Sequence, residues 1–135
     1  MFNNVHHITY IVKSIQQMAA YMETNFGLKP ERTDELSDRG YNSILYRVGT
    51  TLVDFFEPTR DDPTMARRLK EQGPGIAHVA WGVTGINSIF QDLKIKGNDM
   101  RGDAPTSSPF GYKTLTIKPS SSHGIYFQLA EGEVP

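Results

Sequence analysis

The chain has 135 residues, enough for one ordinary domain that buries roughly two thirds of its unfolded surface. It contains no cysteine, which excludes disulfides, thiolate metal sites and thiol nucleophiles. Its net charge of -1 comes without the basic stripe that nucleic acid binding requires. No apolar run approaches the roughly 20 residues of a membrane span, and no secretory leader is recognisable. We therefore expect a cytoplasmic protein with no nucleic acid or membrane partner.

The first half of the chain reads as a β-α-β-β-β series. It begins with the strand-like stretch VHHITYIV at residues 5–12, in which side-chain character alternates. An amphipathic helix follows, because apolar residues recur at i, i+3, i+4 and i+7, and Gly27 predicts its end. Three further strands are predicted at Pro30 to Leu36, Tyr41 to Val48 and Thr51 to Phe56. The apolar helical positions are Ile15, Met18, Ala19 and Met22.

A short linker helix is predicted between the two halves. Asp62 and Pro63 suit the N-cap and the first helical position, and the glycine and proline residues at 73–75 predict the end of the helix. We assign residues 1–58 to module one, 59–74 to the linker helix and 75–135 to module two of a single domain.

The second half repeats the first. The stretch GIAHVAWGV at residues 75–83 matches the first strand with an offset of 71 residues, which aligns His7 with His78. A second helix carries the same apolar stripe at Ile86, Ile89, Phe90 and Leu93, and Gly97 predicts its end. Strands are then predicted at Asp99 to Arg101, Lys113 to Ile117 and Ile125 to Leu129.

These repeats predict the fold class. A half of about 55 residues would bury too little surface to be stable alone, so the two halves should share a sheet. We predict an α+β fold in which two βαβββ modules, related by pseudo-twofold symmetry, form a curved mixed sheet around a metal cavity.

Four polar residues at repeat-related positions predict the metal site. His7 and His78 occupy matching places in the first strands, and Asp54 and Gln128 each lie three residues before an acidic residue in the last strands. Two imidazoles, a carboxylate and an amide oxygen can bind a divalent first-row metal and leave coordination positions open. We predict one divalent ion per chain, Co, Ni, Zn, Mn or Fe. His6 and His123 are expected to be structural or exposed.

The repeat and these four positions resemble the vicinal oxygen chelate superfamily, which includes glyoxalase I, extradiol dioxygenases, fosfomycin resistance proteins and methylmalonyl-CoA epimerase. The epimerase branch is the most similar, and the resemblance spans nearly the whole chain. The motifs that carry it are Glu57-Pro58, the helix from Pro63 to Gln72, the Gly73, Gly75, Ile76 and His78 series, Gly111-Tyr112-Lys113, Lys118-Pro119 and Gly124-Ile125.

The chain departs from the epimerase pattern at both expected bases. The resemblance implies a glutamate that serves as fourth ligand and base, and a second glutamate from the strand aligned with Tyr41 to Tyr46. This chain has Gln128 at the first place and Asn42-Ser43 near the second. An amide cannot take up a proton at neutral pH, so the two-base mechanism cannot be copied directly. Asp54 supplies the one carboxylate and is the predicted catalytic residue.

Three functions are compatible with this pattern. We favour a metal-dependent isomerase or lyase of the methylmalonyl-CoA epimerase or glyoxalase I type, which stabilises an enolate of a small acyl substrate. A coenzyme A thioester is one candidate for that substrate. A non-haem iron dioxygenase is the first alternative, because His7, His78 and Asp54 form a set of two histidines and one carboxylate. A non-catalytic ligand-binding or resistance protein is the second.

Substrate contacts are predicted from the middle strands and from one long loop. The loop from Gly102 to Gly111 is expected to act as a lid, because long ordered loops are often functional. We also expect the chain to form a homodimer. The predicted substrate-binding residues are Asn42, Ser43, Phe110, Tyr112 and Lys113.

Overall fold

The computed structural model describes residues 1–133 and has the predicted α+β architecture. Within these residues, none of the helices is long and apolar enough to cross a membrane. The elements follow one another as β1 (Asn4–Ile11), α1 (Ile15–Phe26), β2 (Arg32–Leu36), β3 (Tyr41–Val48), β4 (Thr51–Pro58), α2 (Met65–Gln72), β5 (Gly75–Gly82), α3 (Ile86–Ile95), β6 (Thr106–Ser107), β7 (Lys113–Ile117) and β8 (Phe127–Glu131).

The chain divides into two compact units. Among the described residues, the terminal unit comprises residues 1–7 and 78–133, and the middle unit comprises residues 8–77. Strand β1 contributes its first residues to the terminal unit and its last residues to the middle unit. In the middle unit the strands follow the order β2-β3-β4-β1, and the pairs β2–β3 and β3–β4 are antiparallel.

The terminal unit is a mixed sheet with the order β1-β5-β8-β7-β6. Strands β5 and β8 pair in parallel, whereas β8 pairs with β7 and β7 with β6 in antiparallel fashion. In each half the last strand therefore lies next to the first strand: β4 lies next to β1, and β8 lies next to β5. This common order confirms the repeated βαβββ succession of elements.

Both predicted helical stripes pack onto strands of their own unit. In the middle unit the stripe of α1 covers a core that includes Ile44, Tyr46 and Phe55. In the terminal unit the side chain of Phe90 on α3 is fully buried against a core that includes Leu115 and Leu129. Burying a side chain of this size contributes roughly 1.5–3 kcal/mol to folding. Because these buried residues recur with the 3.6-residue period of a helix, the period predicted both helices correctly.

Repeat-related acidic residues cap the two helices in the same way. In the middle unit a Glu57 carboxylate oxygen accepts a hydrogen bond of 2.9 Å from the N–H of Ile15 at the start of α1. In the terminal unit the Glu131 carboxylate accepts from the N–H groups of Gly85 and Ile86, at 2.7 and 3.0 Å. These bonds satisfy helix N–H groups that have no partner within the helix.

Several boundaries differ from the sequence prediction, and local hydrogen bonds explain two of them. The linker helix begins at Met65 rather than at Pro63, because the Asp62 side chain accepts hydrogen bonds from the N–H groups of Thr64 and Ala66 and forms a turn first. Strand β8 begins at Phe127, two residues later than predicted. The Ser122 hydroxyl donates a 2.6 Å hydrogen bond to the Ile125 carbonyl and holds that residue in a turn.

The strand predicted at residues 99–101 is reduced to one bridge, between Met100 and Ile117. Gly102 follows with a φ of +75°, a left-handed conformation that ends an extended segment. The short strand β6 lies instead inside the loop predicted as a lid, at Thr106–Ser107.

Candidate functional site

The terminal unit brings His7 and His78 together. Their ring centroids are 5.5 Å apart, and the rings are nearly perpendicular. Strand β1 provides His7, whose side chain is 2 % exposed, and strand β5 provides His78. The Tyr112 ring lies 5.0 Å from the His7 ring, and the Tyr126 ring lies 5.1 Å from the His78 ring. The two predicted imidazole ligands are therefore neighbours in an aromatic setting.

Gln128 lies beside His7 in the same unit. Its amide Oε1 is 2.9 Å from Nε2 of His7. The sheet explains this position, because Gln128 on β8 pairs with Ala80 on β5 and with Thr116 on β7. The small, fully buried side chain of Ala80 leaves room on that side of the sheet for the larger polar groups.

His7 is held in its neutral form. The pKa of its imidazole falls from 6.5 to about 3, chiefly because the ring is buried; the nearby His78 and His6 rings also lower the pKa, and the neighbouring Gln128 side chain raises it. A neutral imidazole has a free lone pair, which is the form that coordinates metals.

His6 lies beside His7, a position that sequence reasoning did not predict. It was expected to be structural or exposed; it is buried, at 8 % exposed, and its Nδ1 lies 2.8 Å from Nδ1 of His7. Alternation along an ideal strand would separate two consecutive side chains, and this misled the prediction. The doubled histidine at positions 6 and 7 was the available signal. His123, by contrast, is exposed in a turn with a φ of +58°.

Asp54 is the most deeply buried carboxylate of the middle unit. It is 1 % exposed, and neither of its carboxylate oxygens has a hydrogen-bond partner among the described residues. Burial raises the pKa of its carboxyl from 3.8 to about 7, while the nearby Thr9 hydroxyl partly offsets this effect. The Thr9 hydroxyl is close enough to affect this pKa but does not form a hydrogen bond of good geometry. Its Oγ1 also lacks a partner in the part of the chain described. Such a carboxyl can exchange a proton near neutral pH.

Other polar groups share the middle unit with Asp54. Ser43 on β3 is fully buried, and its hydroxyl has no partner among residues 1–133. Burial raises the pKa of the Tyr41 phenol to about 12, and the Asp54 carboxylate contributes in the same direction. Sequence reasoning did not single out Thr9, or Tyr41, which by alternation shares a face of β3 with Ser43. Asn42 is half-buried and, by alternation, points to the opposite face of β3 from Ser43.

The remaining predicted substrate contacts lie in the terminal unit. Tyr112 is 4 % exposed and packs against the rings of both His6 and His7. Phe110 is 3 % exposed, so it is part of the packed interior of its unit. Lys113 is exposed and pairs across the strands with Glu131.

The terminal-unit side chains are of types that bind divalent metals, and one pair of them has the spacing of adjacent ligands. Adjacent ligands about 2.1 Å from a metal are about 3 Å apart at right angles, close to the 2.9 Å between His7 Nε2 and Gln128 Oε1. Among residues 1–133, however, no three His, Cys, Asp or Glu side chains are grouped closely enough to hold a metal by themselves. A site in this unit would therefore need the Gln128 amide oxygen beside the two imidazoles. The assignment of Asp54 as a further ligand stays a prediction from the repeat.

Known structures resemble the chain over almost its whole length. A methylmalonyl-CoA epimerase in complex with methylmalonyl-CoA and NH4+ has a TM-score of 0.88 and 20% sequence identity, with 100% of both chains covered. A variant of the Streptomyces coelicolor methylmalonyl-CoA epimerase in complex with 2-nitronate-propionyl-CoA has a TM-score of 0.87 at 20% identity, and covers 98% of this chain and 99% of its own. A hypothetical protein from Bacillus halodurans C-125 has a TM-score of 0.85 at 25% identity, with 96% and 94% covered.

Sequence comparison identifies the family. Curated protein sequences give no significant match. The family model for the Glyoxalase/Bleomycin resistance protein/Dioxygenase superfamily matches residues 6–109, which is more than half of the chain. This match and the shared fold agree with the resemblance that the repeat and its motifs predicted. The chain belongs to the Glyoxalase/Bleomycin resistance protein/Dioxygenase superfamily, the vicinal oxygen chelate superfamily.

Proposed function

We propose that this protein is a metal-dependent isomerase or lyase that moves a proton on the carbon next to the carbonyl of an acyl substrate. The observation that carries the proposal is Asp54. A fully buried carboxyl whose two oxygens lack partners in the described chain is costly to fold, and such groups concentrate at catalytic sites. In the metal-free chain burial raises the pKa of this carboxyl to about 7, so it can hold or release a proton near neutral pH.

The terminal unit supports the metal part of the proposal. His7, His78 and Gln128 supply two nitrogen donors and one oxygen donor, and Asp54 is proposed as the fourth ligand from its place in the repeat. When bound, a divalent ion would supply Lewis-acid polarisation of the substrate carbonyl. Because the Gln128 amide is neutral, the ligand set with Gln128 and Asp54 would carry one negative charge, whereas a set with two carboxylates would carry two.

Residues of this chain would then have separate roles in the reaction. The Asp54 carboxylate takes up the proton from the substrate carbon and can return it to the same or the adjacent carbon. Ser43 has a buried hydroxyl that can donate to a substrate oxygen. Because Gln128 cannot exchange protons, one base acts alone, and this favours a shuttle between adjacent carbons over inversion at one carbon.

An acyl-coenzyme A thioester is the substrate class to test first. The epimerase structures that share the fold contain methylmalonyl-CoA and 2-nitronate-propionyl-CoA. An acyl thioester also has the acidified neighbouring carbon that a single base requires. The homodimer and the cytoplasmic location remain predictions from the sequence.

Hydrogen exchange in deuterated water tests the proposal. The metal-supplemented protein is incubated with a panel of acyl-coenzyme A thioesters, and deuterium at the carbon beside the carbonyl is measured by mass spectrometry. We expect exchange with the wild type and none with Asp54→Asn. The matched control is Asp103→Asn, which removes an exposed carboxylate and should exchange like the wild type.

The same assay distinguishes the mechanism. We expect methylmalonyl-CoA to be epimerised slowly or not at all, and Gln128→Glu to raise that rate by adding a second base. Exchange that persists at the wild-type rate in folded Asp54→Asn would refute Asp54 as the base. Oxygen consumption that depends on ferrous iron would identify a dioxygenase instead.

A further inference from the structure

His6 makes two polar contacts that fix the orientation of its ring. Its Nε2 lies 2.6 Å from the carbonyl oxygen of Gly132, and its Nδ1 lies 2.8 Å from Nδ1 of His7. The Tyr112 ring packs edge-on against the His6 ring with 4.7 Å between centroids. All four residues belong to the terminal unit. His6 is therefore held between a backbone acceptor and a predicted metal ligand.

These contacts determine where the protons of the two imidazoles lie. A carbonyl oxygen can only accept, so the Nε2 of His6 carries a proton and donates it to Gly132. In its neutral form each imidazole has one N–H group and one lone pair. The Nδ1 of His6 is then an acceptor, and the Nδ1 of His7 must donate to it. The single proton of His7 is used in this bond, so its Nε2 presents a lone pair.

The lone pair of His7 faces another acceptor. Nε2 is 2.9 Å from the Oε1 of Gln128, and two acceptors at this distance repel each other unless a cation lies between them. Turning the Gln128 amide by half a rotation would offer an N–H group instead. Either arrangement leaves His7 in the same tautomer. The contact with His6 alone is sufficient to present Nε2 for coordination.

The repeat shows that this arrangement is specific to His7. The offset of 71 residues places Ala77 at the position equivalent to His6, so His78 has no histidine before it. His6 therefore breaks the repeat at the one position where it can hydrogen-bond to a ligand histidine. Partners of this kind orient ligand rings and raise their basicity in metal sites.

We propose that His6 is a positioning residue that holds His7 with its proton on Nδ1, so that Nε2 faces the metal beside Gln128. The metal in this statement rests on the proposed function, whereas the proton position can be measured without any metal. Gly132 is part of the same device, because its φ of +114° suits glycine and its carbonyl fixes the His6 ring.

The proton positions can be read from the metal-free wild type. Long-range ¹H–¹⁵N spectra of the histidine-labelled protein distinguish protonated from unprotonated ring nitrogens. We expect His7 to have a proton on Nδ1 only and His6 to have one on Nε2 only. Signals are assigned with His6→Asn, His7→Asn and His123→Asn. The opposite tautomer at His7 in the folded wild type would overturn the proposal without any variant.

Two substitutions at His6 distinguish the role of its hydrogen-bond acceptor from the role of its ring in packing. His6→Phe keeps an aromatic ring for Tyr112 but has no acceptor, and we expect His7 to lose the fixed tautomer and Zn²⁺ to bind about 10- to 100-fold more weakly. His6→Asn places an acceptor oxygen near the original Nδ1 and should retain the His7 tautomer and most of the affinity. His123→Asn is the matched exposed control and should bind Zn²⁺ like the wild type.

The outcomes also separate this inference from the proposed function. Zn²⁺ affinity is measured by calorimetry and folding by circular dichroism. Wild-type affinity and tautomer in folded His6→Phe would overturn the positioning role. A wild type that shows the expected tautomer but binds no Zn²⁺ would refute the metal-dependent function while leaving the hydrogen-bonded arrangement of His6 and His7 intact.

Discussion

Replacing Asp54 with asparagine should change how stability depends on pH in the metal-free protein. Burial raises the pKa of this carboxyl from 3.8 to about 7. Between these values the folded chain keeps the proton, whereas the unfolded chain has released it. The folded state therefore binds more protons, so this group makes the unfolding free energy fall as the pH rises. Its stabilising effect is fully present below pH 3.8 and is lost as the pH passes 7.

His7 acts in the opposite direction over an overlapping range. Its pKa falls from 6.5 to about 3 on folding, so the unfolded chain binds a proton that the folded chain does not. This group makes the unfolding free energy rise with pH up to about 6.5. Each one-proton difference amounts to about 1.4 kcal/mol per pH unit, or about 4 kcal/mol over the whole Asp54 window. Between about pH 4 and 6.5 the two contributions cancel in the wild type.

Asp54→Asn removes the Asp54 contribution to the pH dependence and leaves that of His7. We expect its unfolding free energy to rise relative to that of the wild type by about 1.4 kcal/mol per pH unit from about pH 4 to about pH 7. Urea unfolding with a chelator present measures this difference, and Asp103→Asn controls for the loss of an exposed carboxylate. Parallel pH profiles for Asp54→Asn and the wild type would refute the buried, protonated carboxyl.

Three further predictions concern the terminal unit. Wild-type protein should carry about one divalent ion per chain, and His78→Ala should lose most of it while His123→Ala keeps it, as elemental analysis can establish. Phe110→Ala should cost about 3–5 kcal/mol of unfolding free energy, because the side chain is 3 % exposed; an unchanged urea midpoint would contradict this packing. Glu131→Ala should cost about 1 kcal/mol, since it removes the acceptor for the first N–H groups of α3, and equal thermal midpoints would count against this cap.

The sequence predicted well whatever depends on period and repetition. The stripe at Ile86, Ile89 and Phe90 marks a helix because burial follows every third or fourth residue. The offset between His7 and His78 led to the paired rings, since equivalent strands place equivalent residues on the same face. Acidic residues three positions after Asp54 and Gln128 marked the equivalent last strands, and the caps at Glu57 and Glu131 agree with that alignment.

The sequence did not predict features set by local hydrogen bonds or by departures from ideal strands. The turn at Asp62 delayed the start of α2, and the Ser122 hydroxyl delayed β8. His6 lies beside His7 although an ideal strand would direct it to the other face. The burial of Thr9 together with Asp54 depends on the pairing of distant strands, which hydrophobic periodicity does not encode.

The terminal unit is built from two segments that are far apart in the sequence, and this has a consequence during synthesis. Residues 1–7 are synthesised before the middle unit, yet the rest of their own unit begins only at residue 78. At about 5–20 residues per second, translation takes several seconds to supply that partner. The middle unit, residues 8–77, has been synthesised by then, so His7 is already attached to its N-terminal end. His7 therefore remains without its two neighbours of the candidate site until His78 and Gln128 are made.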